Sequence, residues 1–230
     1  MCSRFSLTTP LEALRRLFQF QERPNLAARY NITPTSQVLA IRKQVSGAYE
    51  AFRPVWGLIP PFAKEAQGAA RLINVRSETV TEKPSFREAY KNQRCLVPTD
   101  GFYEWKTDSN GQKQPYYFQA PDHQPLAFAG IWEVWQSPEG NQETSCSLLT
   151  KAAPAYMRGI HHRAPVLINP QQFSRWTDPD SKDPLSQLDM GPEDIISHPV
   201  GKVVGNVRAE GPDLIKPIRI GTPPQQGSLF

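Results

Sequence analysis

The chain has 230 residues, 39% of them hydrophobic and 21% charged, which suits one large domain or two small ones with a folded core. No apolar run approaches the roughly 18–20 residues of a membrane span, and no basic stretch leads into an apolar segment at the start, so neither a membrane protein nor a secreted one is expected and the location predicted is cytoplasmic. A net charge of +4 is compatible with a polyanionic partner without requiring one, and 23 prolines argue for many irregular connections and against long helices.

In chain order, residues 10–20 place Leu11, Leu14, Leu17 and Phe18 on one helical face, with Thr9 as N-cap and Pro10 in the first turn. This helix is expected to pack close to Cys2. Val38 to Arg42 reads as a strand with Ala48 to Phe52 as its hairpin partner, and Ala63 to Ala70 as a small, polar connection. Leu72 to Thr79 is a short buried strand running into a polar turn. Phe86 to Lys91 is a short helix and Arg94 to Pro98 a strand. Gly101 to Lys106 alternates strictly, with Phe102 and Glu104 on one face and Tyr103 and Trp105 on the other. Asp108-Ser-Asn-Gly is a hairpin turn into Pro115 to Gln119. Leu126 to Trp135, Thr144 to Thr150, Ala164 to Ile168 and Ile195 to Val200 complete the strands. Short helices are expected at Pro154 to Arg158, Pro170 to Trp176 and Pro184 to Leu188. The pattern predicts an α+β fold: a single domain, residues 1–217, on a curved antiparallel sheet or barrel, with a loose tail at 218–230.

Cys2, Cys95 and Cys146 are far apart and form no CxxC pair, so a zinc site is not expected, nor any cofactor. Cys95 and Cys146 lie in apolar strands and read as buried thiols; Cys2 has no such run around it. If Met1 is removed, Cys2 carries an α-amine and a thiol on adjacent carbons. Such a 1,2-aminothiol condenses with an aldehyde to a Schiff base and then closes a thiazolidine ring. Glu104, among aromatics, should be partly desolvated and so suited to proton transfer, unless it is an edge-strand partner of Lys106. Of His161 and His162, one at most should face a given site. Asn74 interrupts an apolar strand with an amide that needs partners. Arg4 and Arg76 offer guanidinium forks to phosphates, or simply face solvent, and Trp56 with Ile59, Pro60 and Pro61 forms either an apolar wedge against bases or part of the core.

Several stretches in order resemble the SRAP family (SOS response-associated peptidases, also called abasic site processing proteins). They are Met-Cys-Ser-Arg-Phe at 1–5, Tyr-Asn-Ile-Thr-Pro at 30–34, Trp-Gly-Leu-Ile-Pro at 56–60 and Ile-Asn-Val-Arg-Ser-Glu-Thr at 73–79. Arg-Cys-Leu-Val-Pro at 94–98, Gly-Phe-Tyr-Glu-Trp-Lys at 101–106, Ile-His-His-Arg-Ala-Pro-Val at 160–166, and His-Pro-Val followed by Gly-Asn-Val-Arg at 198–208 complete the set. The resemblance implies binding to single-stranded DNA, or its junction with duplex, at abasic sites, by a monomer that is nucleoid-associated when bound. It further implies a thiazolidine crosslink between Cys2 and the open sugar aldehyde, with self-processing of Met1 and a lyase side activity. It assigns Cys2, Asn74, Glu104 and His161 as catalytic, Arg4, Arg76 and Thr150 as DNA-backbone contacts, and Pro34 with the Trp56 loop as the base wedge. The chain departs from the family pattern at Ser3, where Gly is usual, at His162, where Asp is common, and at Ala164, where a longer side chain is usual. Two rivals stay open: an N-terminal-nucleophile cysteine hydrolase and a DNA-reading module without covalent chemistry.

Overall fold

A computed structural model describes residues 2–65, 72–181, 183–188 and 194–220. The expected connection at 63–70 falls outside these from residue 66 onward, and the expected tail from residue 221 onward.

The described residues form an α+β fold of two curled sheets that share a continuous stretch of chain. The smaller sheet joins β1 (Phe5–Leu7), β2 (Arg29–Ile32), β8 (Gly101–Thr107), β9 (Lys113–Gln119) and β13 (Ile196–Pro199) in the order β13-β9-β8-β1-β2. The larger runs β12-β11-β10-β7-β3-β4, built from β3 (Ala40–Lys43), β4 (Tyr49–Phe52), β7 (Arg94–Thr99), β10 (Leu126–Gln136), β11 (Gln142–Ala152) and β12 (Arg163–Pro165). Two short strands, β5 (Val55–Trp56) and β6 (Asn74–Arg76), pair with β11 in parallel, so the sheet is mixed where an antiparallel one was expected. Only Asp100 separates β7 from β8. There the chain passes from one sheet to the other, and Asp100 secures the corner by accepting hydrogen bonds from the Thr8 and Thr9 hydroxyls at 2.7 and 2.5 Å. Thr9 is thereby spent on the corner and does not cap helix α1 (Leu11–Phe18), whose first turn has no side-chain cap.

The apolar stripe of α1 behaves as its spacing requires: Leu14 and Phe18 are buried, and Phe18 stacks on Phe173 at 5.0 Å. Phe173 opens α3 (Phe173–Thr177), so α1 is pinned by that helix; Cys2 itself is held from elsewhere, as described below. Helix α2 (Arg87–Asn92) starts one residue later than expected. The expected helix at Pro154 to Arg158 is a pair of turns on the Pro154 carbonyl, and that at Pro184 to Leu188 a single 3-10 turn at Leu185–Gln187.

The first half of strand β8, residues 101–104, is buried on both sides, which explains its aromatic alternation. Phe102 faces the main core, stacked on Phe118 at 5.1 Å and edge-on to Phe128 at 5.9 Å. Tyr103 faces a second, smaller core with Tyr117, Val200, Val204 and Leu214. At Gly101 the packing is tightest: a Cβ there would lie 2.4 Å from both the Phe118 carbonyl oxygen and the Tyr117 ring, so only glycine fits.

Trp56 belongs to the main core. It is fully buried, edge-on to Phe5 at 5.2 Å, and its indole N–H donates to the Ile73 carbonyl at 2.9 Å. Its assignment as a base wedge is therefore corrected: no part of it reaches a surface where a base could stack. Trp56→Ala should cost about 3–5 kcal/mol of stability by chemical denaturation, where an exposed wedge would cost under about 0.5 kcal/mol.

Candidate active site

The site forms where the N-terminal end of β1 meets the middle of β8. The antiparallel register Phe5↔Phe102 and Ser6↔Gly101, continued outward, sets Ser3 opposite Glu104. The Tyr103 N–H donates to the Arg4 carbonyl at 3.0 Å, which keeps the two strands in step beyond their last ladder pair.

Cys2 is fully buried, against the expectation that it alone of the three cysteines lacked an apolar setting. Its carbonyl accepts a 2.6 Å hydrogen bond from Asn74 Nδ2, and its thiol lies 3.8 Å from the Arg4 carbonyl. Asn74 is placed by the parallel pairing Asn74↔Leu148 of β6 on β11, a contact no local pattern announces. Its other amide atom, Oδ1, is buried without a hydrogen-bond partner among the described residues. Burial pushes the Cys2 thiol pKa far above its usual range, and the nearby charge of Glu104 adds to the effect. The thiol is thus held protonated.

Glu104 is 3% exposed, and burial raises its carboxyl pKa above the ordinary value. Its alternative partner, Lys106, is exposed two residues further along the same strand. Glu104 Oε2 lies 3.9 Å from His161 Nε2. His161 Nδ1 in turn sits 3.0 Å from both the backbone N–H and the carbonyl oxygen of Arg163. A neutral ring can accept from that N–H, leaving its proton on Nε2 toward Glu104; an imidazolium can donate from Nδ1 to the carbonyl. Both charge states have a partner. Desolvation lowers the His161 pKa, so the neutral ring prevails near pH 7. His162 is exposed and stacks on His161 at 4.4 Å, so the two rings lie side by side rather than diverging.

The four expected catalytic residues therefore meet in one place, with Cys2, Asn74, Glu104 and His161 drawn from four separate stretches of chain. Beside them opens a cavity of about 470 Å³ lined by Ser3, Arg4, Glu104, Trp105, Thr107, Lys113, His161 and Gly205.

The expected DNA contacts divide. Arg76, at the end of β6, is exposed. Pro34 is half-buried in the turn before β3. Arg4 is 9% exposed and donates to Asn31 Oδ1 at 2.8 Å, the Val204 carbonyl at 2.7 Å and the Gly205 carbonyl at 3.4 Å. Most of its fork is engaged within the protein, tying β1 to the segment after β13, while the residue also lines the cavity. Thr150 is fully buried: its hydroxyl donates to the Val75 carbonyl at 3.2 Å and meets Arg163 at 3.2 Å. Its expected contact with the DNA backbone therefore does not come from a hydroxyl displayed at the surface of the free protein.

Two groups that shape the site went unnoticed in the sequence. Arg163 makes a bidentate pair with Glu78 at 2.6 and 2.9 Å, which holds the Glu78 carboxyl down at about 2, and also donates to the Thr150 carbonyl at 2.7 Å. It thereby ties the turn that follows Asn74 to the strand that presents His161. Asn31 gathers Arg4 and, through Nδ2, the carbonyls of Asn206 and Ala209 at 3.0 and 2.9 Å. The only sequence signal for either was a polar residue inside an otherwise apolar or motif-rich stretch.

Residues 1–207 match the family model described as SOS response associated peptidase (SRAP). The chain is 33% identical over 225 residues to the abasic site processing protein YoqW of Bacillus subtilis, covering 94% of this chain and 99% of that one. It is 28% identical over 270 residues to the abasic site processing protein HMCES of Gallus gallus, covering 97% of this chain and 80% of that one. Among solved structures, a Bacteroides thetaiotaomicron protein shares the fold with a TM-score of 0.84 at 23% identity, over 95% of this chain and all of that one. A phage-related protein of Bordetella bronchiseptica matches with a TM-score of 0.68 at 29% identity, over 86% and 94% of the two chains. On the extent of the family match and the identity to relatives of full length, the chain belongs to the SRAP family.

Proposed function

We propose that this protein processes abasic sites in single-stranded DNA, by forming a covalent thiazolidine between Cys2 and the ring-opened sugar. The names of the relatives support the substrate. The observation that carries the chemistry is the meeting of the Cys2 backbone with the Asn74 amide, beside a buried Glu104 and His161 pair.

The reaction requires removal of Met1, which exposes the Cys2 amine. Glu104 takes a proton from the α-ammonium; its raised pKa makes it a stronger base than an ordinary carboxylate. The free amine adds to the C1′ aldehyde, and loss of water gives the imine. His161 passes protons to and from the sugar oxygen as the furanose opens. The Cys2 S–H then adds across the imine, sulfur to carbon and hydrogen to nitrogen, closing the five-membered ring. Asn74 holds the Cys2 carbonyl and offers Oδ1 to the amine or to a sugar hydroxyl. Arg76 binds a flanking phosphate, while Arg4 keeps the cavity wall in shape. An imine that escapes thiol capture can undergo β-elimination, the source of lyase activity.

An N-terminal-nucleophile hydrolase would instead be revealed by turnover of a small amide. The test is incubation with a single-stranded oligonucleotide carrying one abasic site, followed by denaturing electrophoresis. A heat-stable shifted band is expected, together with a mass consistent with loss of water and attachment at residue 2. A salt-sensitive complex that vanishes on denaturation would leave only non-covalent binding.

A further inference from the structure

The catalytic cluster accounts for one end of its cavity. The other end is walled by Trp105, Thr107 and Lys113, none of which the chemistry above uses. Thr107 and Lys113 are cross-strand partners at the tip of the β8–β9 hairpin, so their side chains rise on one face, and Trp105 precedes Thr107 on that same face. Lys113 is exposed and makes no ion pair or hydrogen bond among the described residues. The guanidinium of Arg4 lies 6.0 Å from the Trp105 ring centre, and Lys202 reaches the same hairpin through Gln112 at 3.4 Å. Positive charge thus gathers at this end, next to a half-buried indole face, while the carboxylate end holds Glu104.

We propose that Lys113, with the Thr107 hydroxyl, is a second backbone-phosphate subsite, engaging the strand on the opposite flank of the lesion from Arg76. The assignment rests on the abasic-site reading of the cavity. Arg76 belongs to β6 on the larger sheet and does not line the cavity, whereas Lys113 belongs to β9 on the smaller sheet and does. A strand whose abasic sugar sits at Glu104 and His161 has one flanking phosphate on each side. The cavity has room for more than a pentose, and the ammonium and hydroxyl at its far end are the donors an anion there would take.

The experiment measures binding of a non-reactive tetrahydrofuran abasic analogue by fluorescence anisotropy between 50 and 300 mM salt. Lys113→Gln should weaken binding about 3- to 10-fold at low salt and reduce the slope of log affinity against log salt by about 0.7. Lys113→Arg should restore both, and Lys91→Gln, a substitution of an exposed cation on α2, should change neither. Crosslinking at subsaturating reactive DNA should fall in step with the binding loss for Lys113→Gln, because phosphate contacts position the strand. With oligonucleotides truncated on one side of the lesion, the Lys113→Gln effect should persist on one and vanish on the other, and Arg76→Gln should show the reverse. An unchanged salt slope for Lys113→Gln, or the same dependence on truncation for both variants, would overturn the proposal. Absence of any covalent band from the wild type would instead count against the crosslinking chemistry, while the anisotropy result would still decide the subsite.

Discussion

Replacing Cys2 with alanine should abolish the heat-stable adduct with abasic single-stranded DNA while leaving an N-terminal amine able to form an imine. The expected loss in stable crosslink yield is about 100-fold or more, because thiol capture is intramolecular and draws on the full advantage of proximity. The imine should persist in another form: borohydride should trap a covalent complex with Cys2→Ala, and without borohydride the DNA strand should be cleaved faster than with wild type. The fold should survive, since the change removes one small buried thiol, at a cost on the order of 1 kcal/mol. Denaturing electrophoresis with and without reductant separates these outcomes. A heat-stable, reductant-independent band from Cys2→Ala would show that the adduct does not need the thiol. A generic thiol-alkylation assay would miss this distinction, because the thiol of Cys2 is buried and held protonated, and in the reaction proposed the amine acts first.

Glu104→Gln should separate activity from stability. Crosslinking should slow by about 100-fold or more, as expected when a positioned base is lost. Stability should move the other way above neutral pH. Burial raises the native pKa of Glu104 above its unfolded value of 4.5, so the folded state binds this proton more tightly than the unfolded state does. That contribution is fully present below pH 4.5 and is lost as pH climbs through the raised native value. Glutamine carries no charge at any pH and loses nothing. The melting temperature of Glu104→Gln relative to wild type should therefore rise from pH 4.5 to pH 8. If the variant is instead less stable than wild type at pH 8, the carboxylate is held there by partners that outweigh its desolvation. A catalytic carboxylate that costs stability is the usual sign of a site built for chemistry rather than for the fold.

How much of this was legible depended on the range of the interaction involved. The alternation of Phe102, Tyr103, Glu104 and Trp105 is a period-two pattern, and the strand and its two faces followed directly from it. The turn at Asp108 to Gly111 was equally local: Asp108 Oδ1 accepts from Asn110 and Gln112 N–H at 2.8 Å, and Gly111 takes the positive φ of 78°. The helix at Pro154 to Arg158 failed because its residues find partners outside it; Arg158 Nε donates to the Ala153 carbonyl and Met157 is buried in the core. The wedge role for Trp56 failed for a related reason. An indole in a Pro-rich loop looks the same in sequence whether it lies on the surface or in the core, and only the docking of β5 on β11 decides.

The sequence by itself determined the chemical inventory: an aminothiol at position 2 once Met1 is gone, a carboxylate among aromatics, an imidazole pair, an amide in an apolar strand, and the order of motifs that marks the family. Local periodicity also determined most strands, because side-chain alternation and turn residues act within a few positions. Tertiary structure alone decided which polar groups are spent on the fold and which remain for a substrate. Arg4 and Thr150 are engaged by carbonyl and side-chain partners as much as two hundred residues away in the chain, whereas Asn74 Oδ1 and Lys113 are left open. The reason is that hydrogen bonding is satisfied in space: a buried donor or acceptor must be paired wherever its partner lies, and no local pattern records where that is.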